Sequence, residues 1–437
     1  MPEIEASRDA DAPAETPAHP QHDPYAVLRN RDFALYLIGR FVASLGQQMV
    51  TVAVGWELYQ LTGEPLALGL VGLTQMVPMI LFTLPAGHVA DNYNRKRIII
   101  AMTFVVACAS VGLALIPPRR EDVIWIYCLL FVTATARTFL WPASSAFLPH
   151  LVSREQFSKA VTWNSGSFQL SSVAGPAAGG GLIALTGQAA AVYALNAAAA
   201  LVCLILMCFV RRDHIVAAKE RLTPASLIAG FKFVFASPII LGTITLDMFA
   251  VLLGGATALL PVYASKDMLD AGPTGLGFLQ AALPLGSVFC ALWLAHRPPL
   301  QKAGRTLLWA VVIFGLATIG FGFAQWFWFS FLMLFIAGAV DNVSVVVRHT
   351  LVQLLTPDQK RGRVSAVNSL FIGTSNELGG FESGFVAYLF GKRIGNSVAT
   401  GAQISVVSGG VGTILVVLAV ALIWPQIRKY GRLDGSE

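Results

Sequence analysis

Charge is what this chain has least of: Asp, Glu, Lys and Arg make up 12% of its 437 residues, about half of what a soluble domain carries. Cysteine is sparse too. Cys108, Cys128, Cys203, Cys208 and Cys290 all stand inside apolar stretches without metal-ligand spacing, so they read as small core residues and leave the redox compartment open. The histidines are scattered, and His19 and His22 lie in a polar N-terminal stretch that reads as solvated, so no metal site is expected. No Gly-x-x-x-x-Gly-Lys-Ser/Thr loop is present, which argues against a nucleotide site. The polar stretches are too short to hold a catalytic domain, and neither a catalytic residue nor a cofactor is expected. The opening "MPEIEASRDADAPAETPAHPQHDPY" is acidic, rich in Pro and Ala, and lacks an apolar core region. It reads as a disordered tail rather than a cleaved signal peptide.

What is abundant is apolar residue, 55% of the chain, with a mean hydropathy of +0.66. It comes in blocks of about 20 residues or more, the length a helix needs to cross a bilayer. Six such blocks fall at 33–61, 66–90, 97–117, 122–150, 159–186 and 188–210, and six more at 238–264, 274–296, 304–323, 326–355, 363–390 and 398–424. The expected architecture is an all-α membrane protein with twelve transmembrane helices in two six-helix bundles, 33–211 and 238–426. Residues 1–32 form the tail and lead-in, 212–237 a linker with an amphipathic helix, and 427–437 a second tail.

The net charge of +6 follows the same plan. Loops on the side of 91–97 hold sixteen Lys and Arg, against five in the opposite loops: Arg119, Arg120, Lys266, Lys392 and Arg393. By the positive-inside rule both termini and the linker are cytoplasmic, and no nucleic-acid partner is needed to explain the basic balance. The aromatic run "QWFWF" at 325–329 marks the outer interface.

The halves also repeat. "LGLVGLTQMVPM" (68–79) aligns with "TGLGFLQAALPL" (274–285), and "LVSREQFSKAVTWNS" (151–165) with "LTPDQKRGRVSAVNS" (355–369), at offsets of 206 and 204 residues. Two matches at nearly one offset support a duplicated six-helix unit, the arrangement of parallel repeats about an axis along the membrane normal.

Several local patterns resemble the major facilitator superfamily. "GHVADNYNRKR" resembles its loop between helices two and three, with Gly87, Asp91, Arg95 and Lys96 matching and Asn92 and Asn94 departing. "VAGPAAGGG" resembles the core of the antiporter motif through Gly175, Pro176, Gly179 and Gly180, although Thr162 and Ser171 stand where the upstream spacing would require glycine. Arg137, in "TATARTFLWP", is similar to the membrane-embedded arginine linked with proton coupling. "AVGWELYQLTG" and "TPDQKRGRVSAVNSLF" look most like the bacterial branch that includes enterobactin exporters and drug-efflux proteins.

The resemblance implies a secondary active exporter of small amphipathic organic molecules, siderophore or drug-like. It would work by proton antiport and alternating access, as a monomer in the bacterial inner membrane. The proton gradient would be its energy source and the lipid bilayer its surroundings. An importer or uniporter on the same fold and a membrane-embedded lipid flippase are the alternatives. Asp91 is expected to face the N-terminus of helix eleven near Arg363, where the helix dipole stabilises a carboxylate by about 0.3–1 kcal/mol. Arg95 and Lys96 are expected to pair across the halves, and the Gly-Pro-Gly-Gly stretch to pack helix five on helix eight and seal the inner side.

Charges left inside the bilayer are Arg40, Arg137 and Arg348, with Glu57, Asp247, Asp341, Glu377 and Glu382. Each costs about 2.5–3.5 kcal/mol at mid-membrane on insertion scales, so such groups pair or line water. The repeat relates Arg137 to Asp341 and Arg40 to Asp247, which suits pairs that form in one state and break in the other. Static pairing that merely holds helices together is the alternative. Glu57 and Arg348 read equally well as interfacial or structural. Glu377 and Glu382 are about 140° apart on a helix, so at most one of them points into a central cavity.

Overall fold

The computed structural model describes residue 23 and residues 25–211, 232–297, 301–395 and 397–431, apart from the side chains at 358, 359, 361–363 and 366. The tails at 1–22 and 432–437 and most of the linker, with Arg212, Lys219 and Arg221, lie outside the described residues. Of the expected amphipathic helix, a helical turn at 232–236 falls within them.

Twelve long helices follow one another: α1 (Arg31–Thr62), α2 (Pro65–Asn92), α3 (Arg95–Leu115), α4 (Val123–Leu151), α5 (Phe157–Thr186), α6 (Ala190–Phe209), α7 (Pro238–Leu253), α8 (Gly272–Ala295), α9 (Ala303–Gly322), α10 (Phe327–Leu355), α11 (Asp358–Tyr388) and α12 (Val398–Ile423). Eleven spans are long and apolar enough to cross a membrane, α7 counting with its continuation to Tyr263. The twelfth, α11, has 31 residues, enough length to cross, but carries Glu377 and Glu382. It is polar because it is walled by protein.

Local chemistry explains the ends. Asn30 and Asn94 cap α1 and α3 by accepting hydrogen bonds from the amides of Asp32 and Phe33 and of Arg97. Gly63 and Gly187, with φ of 64° and 71°, supply the left-handed residue that turns α1 into α2 and α5 into α6.

Packing reproduces the repeat. In the first half α1 packs on α5 and α6, α3 on α4 and α6, and α2 on α4. In the second half α7 packs on α11 and α12, α9 on α10 and α12, and α8 on α10. Each of these contacts has its image six helices on. The halves meet along two seams, α2 with α11 and α5 with α8, and these seams exchange under the same shift.

Both seams close through glycine at the face away from the 93–97 turn. A Cβ on Gly180 would collide with the Pro273 carbonyl and lie 3.1 Å from Gly277 Cα. A Cβ on Gly384 would lie 2.6 Å from Gly69 Cα. Gly180 and Gly384 are 204 residues apart, the offset of the repeat. At the basic face, by contrast, Gly87 on α2 and Gly166 on α5 have open space where a Cβ would stand. The halves are therefore clamped through glycine at the far face, while these two glycines of the basic face meet no neighbour. This corrects the expected placement of the antiporter-like stretch: Gly180 does pack α5 on α8, but it seals the side opposite the basic loops. Gly175 and Gly179 pack on Gln48 and Met49 of α1 instead.

Candidate functional site

Arg137 stands in the middle of α4, and its guanidinium donates from Nη1 to Gln75 Oε1 on α2 at 3.3 Å. Glu377, on α11 of the other half, lies within electrostatic reach of it, as does Arg40 on α1. Arg137 is exposed although it is at mid-span and flanked by α2 and α11, which places it on a cavity between the halves. Glu377 reaches this point because its own backbone carbonyl abuts Gly72 of α2. The glycine seam thus brings the Glu377 backbone against α2, with its carboxylate within electrostatic reach of the arginine. Arg40 is half-buried and also near Tyr36 and Cys203 within the first bundle.

The second acid of α11, Glu382, is half-buried beside Ser383, whose hydroxyl lies 3.5 Å from its carboxylate. Glu57 accepts a 2.6 Å hydrogen bond from Tyr193 of α6, a contact within the first bundle.

Two expected pairings change. Asp247 does not face Arg40; it closes an ion pair with Arg348 of α10. Both partners are deeply buried, Arg348 at 2% and Asp247 at 6% exposure, so Arg348 is not interfacial. Asp341 does not face Arg137. With Asp247 and Ser344 it lines a cavity of about 10 Å³ closed by Val311 and Phe314 of α9, the size of one water molecule. This cluster is interior to the second bundle. The repeat relates equivalent positions in two bundles, and equivalent positions lie on opposite sides of a seam rather than against each other.

The turn at 91–97 also differs from expectation. Arg95 is buried, and donates from Nε to the Ala90 carbonyl at 3.2 Å and from Nη1 to the Ala146 carbonyl at 3.1 Å, beside His150. Lys96 donates to the Val210 carbonyl at 2.7 Å. Both cations sit on carbonyls at helix C-termini, where the dipole favours them, and both bind within the first half rather than across the halves. Asp91 is half-buried. Its expected seat on the first turn of α11 lies where the side chains at 361–363 are outside the described residues.

Four residues escaped the sequence reading. Gln75 positions Arg137. Gly69 and Gly384 form the second seam, and the repeat offset applied to Gly180 would have found Gly384. Glu64, at the far face, accepts from Arg120 at 3.1 Å and from Lys392 at 2.5 Å, joining the first half to the turn after α11. No short sequence pattern marks it.

Comparison with known proteins agrees with this fold. The sequence model of a family described as transmembrane secretion effectors matches residues 22–420. Enterobactin exporters EntS of Escherichia coli O1:K1 and of Shigella boydii serotype 18 are each 25% identical over 401 residues, covering 91% of this chain and 93% of theirs. A bacterial homolog of the human lysosomal transporter Spinster, solved in an inward-facing and occupied conformation, superposes with a TM-score of 0.72 at 13% identity, covering 93% of this chain and 97% of that one. The nucleoside transporter NupG superposes with a TM-score of 0.70 at 11% identity, covering 90% of this chain and all of that one.

Proposed function

From the premise that the chain belongs to the transmembrane secretion effector family of the major facilitator superfamily, and so is a multi-pass membrane transporter of small molecules and not an enzyme, we propose that it is a proton-driven exporter of small amphipathic organic molecules. Siderophores of the enterobactin kind lead that class, since enterobactin exporters are its relatives. The basic face is cytoplasmic by the positive-inside rule. That puts both termini inside the cell, in the inner membrane, and makes the conformation described above open to the cytoplasm.

One observation carries the reading: Arg137 of one half, bonded to Gln75, lies within electrostatic reach of Glu377 of the other. An ionised Glu377 neutralises Arg137. A protonated one releases it to an anionic or catechol-like substrate. The ionised carboxylate and the substrate therefore compete for one guanidinium, which couples the protonation state of Glu377 to substrate binding. The chain works as a monomer, because both seams and the cavity are complete within it.

Reconstituted vesicles test the coupling. With an imposed pH gradient and no ATP, the protein should move enterobactin, and a protonophore should stop it. Transport that needs ATP and ignores the protonophore would overturn the mechanism.

Alternating access requires the glycine seams to open and the basic face to close. Glu64 with Lys392 favours the first arrangement, and Asp91 against the α11 N-terminus the second. Each is an exposed or half-exposed pair worth about 0–1 kcal/mol, so each variant should shift the two populations by at most about fivefold. Spin labels at Leu66 and Ile394, read by double electron–electron resonance, should show longer distances in Glu64→Gln and shorter ones in Asp91→Asn. Distances unchanged in both variants would remove the two latches from the mechanism.

A further inference from the structure

A second cavity lies apart from Arg137. It is a groove of about 760 Å³ between α2, α3 and α4, on the lower half of the first bundle. Its walls are Phe82 of α2, Ile98, Met102 and Val105 of α3, and Phe131 and Phe139 of α4. On α4 the groove residues Thr135 and Phe139 each sit two positions from Arg137, about 200° around the helix, so the groove opens away from the central cavity. It belongs to the outside of the protein.

At the mouth stand Tyr93, Asn94 and Arg97. Of the three consecutive cations Arg95, Lys96 and Arg97, the first two are spent on backbone carbonyls of the first half. Arg97 is left exposed, with no carboxylate paired to it among the described residues. From Arg97 to Val105 the groove runs eight residues of α3, about 12 Å at 1.5 Å per residue. Its charge is therefore at one end, level with the headgroups, and its hydrocarbon surface runs from there toward mid-membrane.

We propose that this groove is a binding site for an anionic phospholipid, with its phosphate on Arg97 and one acyl chain laid along Phe82, Met102 and Phe139. A guanidinium matches a phosphodiester with two parallel hydrogen bonds, and basic pockets between transmembrane helices are where anionic headgroups bind. Tyr93, 62% exposed at the same level, adds the amphipathic ring favoured at that depth. A soluble partner would leave the aromatic walls uncovered, whereas a lipid covers walls and charge together. The leaflet concerned is the inner one only if the topology proposed above holds; binding itself does not depend on that topology or on transport.

Native mass spectrometry of the full-length protein, delipidated in mild detergent and titrated with phosphatidylglycerol or phosphatidylcholine, tests the site. Wild type should retain phosphatidylglycerol over phosphatidylcholine. Arg97→Gln should weaken phosphatidylglycerol retention about fivefold, and Met102→Trp, which fills the groove, should displace it. Arg305→Gln, an exposed arginine at the same face on α9, should change nothing. Equal retention of the two lipids, or equal losses in Arg97→Gln and Arg305→Gln, would overturn the site in favour of diffuse surface charge. Retention unaffected by Met102→Trp would overturn the groove as the seat of the chain. Enterobactin competing for the groove, with phosphatidylglycerol indifferent to it, would also overturn the assignment, by making the groove a substrate site.

Discussion

Arg348→Met is expected to destabilise the protein by about 3–5 kcal/mol, the cost of leaving a buried charge without its partner. The loss should read as a large drop in thermal midpoint in detergent. Arg348 and Asp247 are almost wholly enclosed in the second bundle, and Arg348 is the cation paired with Asp247 there. Asp247→Leu alone should be as costly for the mirrored reason. The double variant, Asp247→Leu with Arg348→Met, should recover most of the stability, because well-packed apolar residues of similar volume replace a buried ion pair at little or no cost. Its transport activity separates two roles for the cluster. If the pair only holds α7 to α10, the refolded double variant keeps gradient-driven transport. If Asp247 and the neighbouring Asp341 carry protons, stability returns and coupling does not. A double variant as unstable as the singles would mean that the charges shape the packing around them, and would remove the ion-pair account.

The twelve spans were legible in the sequence because a bilayer imposes length and apolarity on anything that crosses it. The break in α7 after Leu253 was not legible. A Cβ at Gly255 would collide with the Gly379 carbonyl of α11, and no local pattern announces a partner more than a hundred residues away. The site was half legible for a related reason. Intramembrane cost singles out Arg137 and Glu377 as residues that need an environment, but cost does not name neighbours. The repeat suggested Asp341 for Arg137 because it superposes bundles. What touches Arg137 is set by the seam, which joins α2 to α11, helices that the repeat never equates. Arg95 and Lys96 show the same limit: counting cations by face gives orientation, and says nothing about the carbonyls of α4 and α6 that hold them. Arg97, identical to them in that count, has the different fate that leaves it facing a groove.

Arg137→Ala and Glu377→Gln should separate binding from coupling. Arg137→Ala removes the cation that both Gln75 and Glu377 address, leaving a carboxylate without its cation and nothing to attract an anionic group of the substrate. At about 1.5–3 kcal/mol for a hydrogen bond to a charged group, affinity should fall by about one to two orders of magnitude at 1.4 kcal/mol per tenfold. Gradient-driven efflux and passive counterflow should therefore both fall to background. Glu377→Gln keeps the shape and the hydrogen bonding but fixes the group in a neutral form. Arg137 is then permanently available to substrate, so counterflow down a substrate gradient should persist. Proton exchange should stop, since no carboxylate on the cavity exchanges protons with the arginine's occupancy, and a pH gradient should no longer drive uphill efflux. The measurement is paired: counterflow of enterobactin in vesicles without a gradient, and proton uptake on addition of enterobactin to purified protein. Uphill transport retained by Glu377→Gln would move coupling into the second bundle, to Asp341 beside Asp247 and Arg348. Counterflow retained by Arg137→Ala would place substrate recognition elsewhere on the cavity, with Arg40 the next cation to replace.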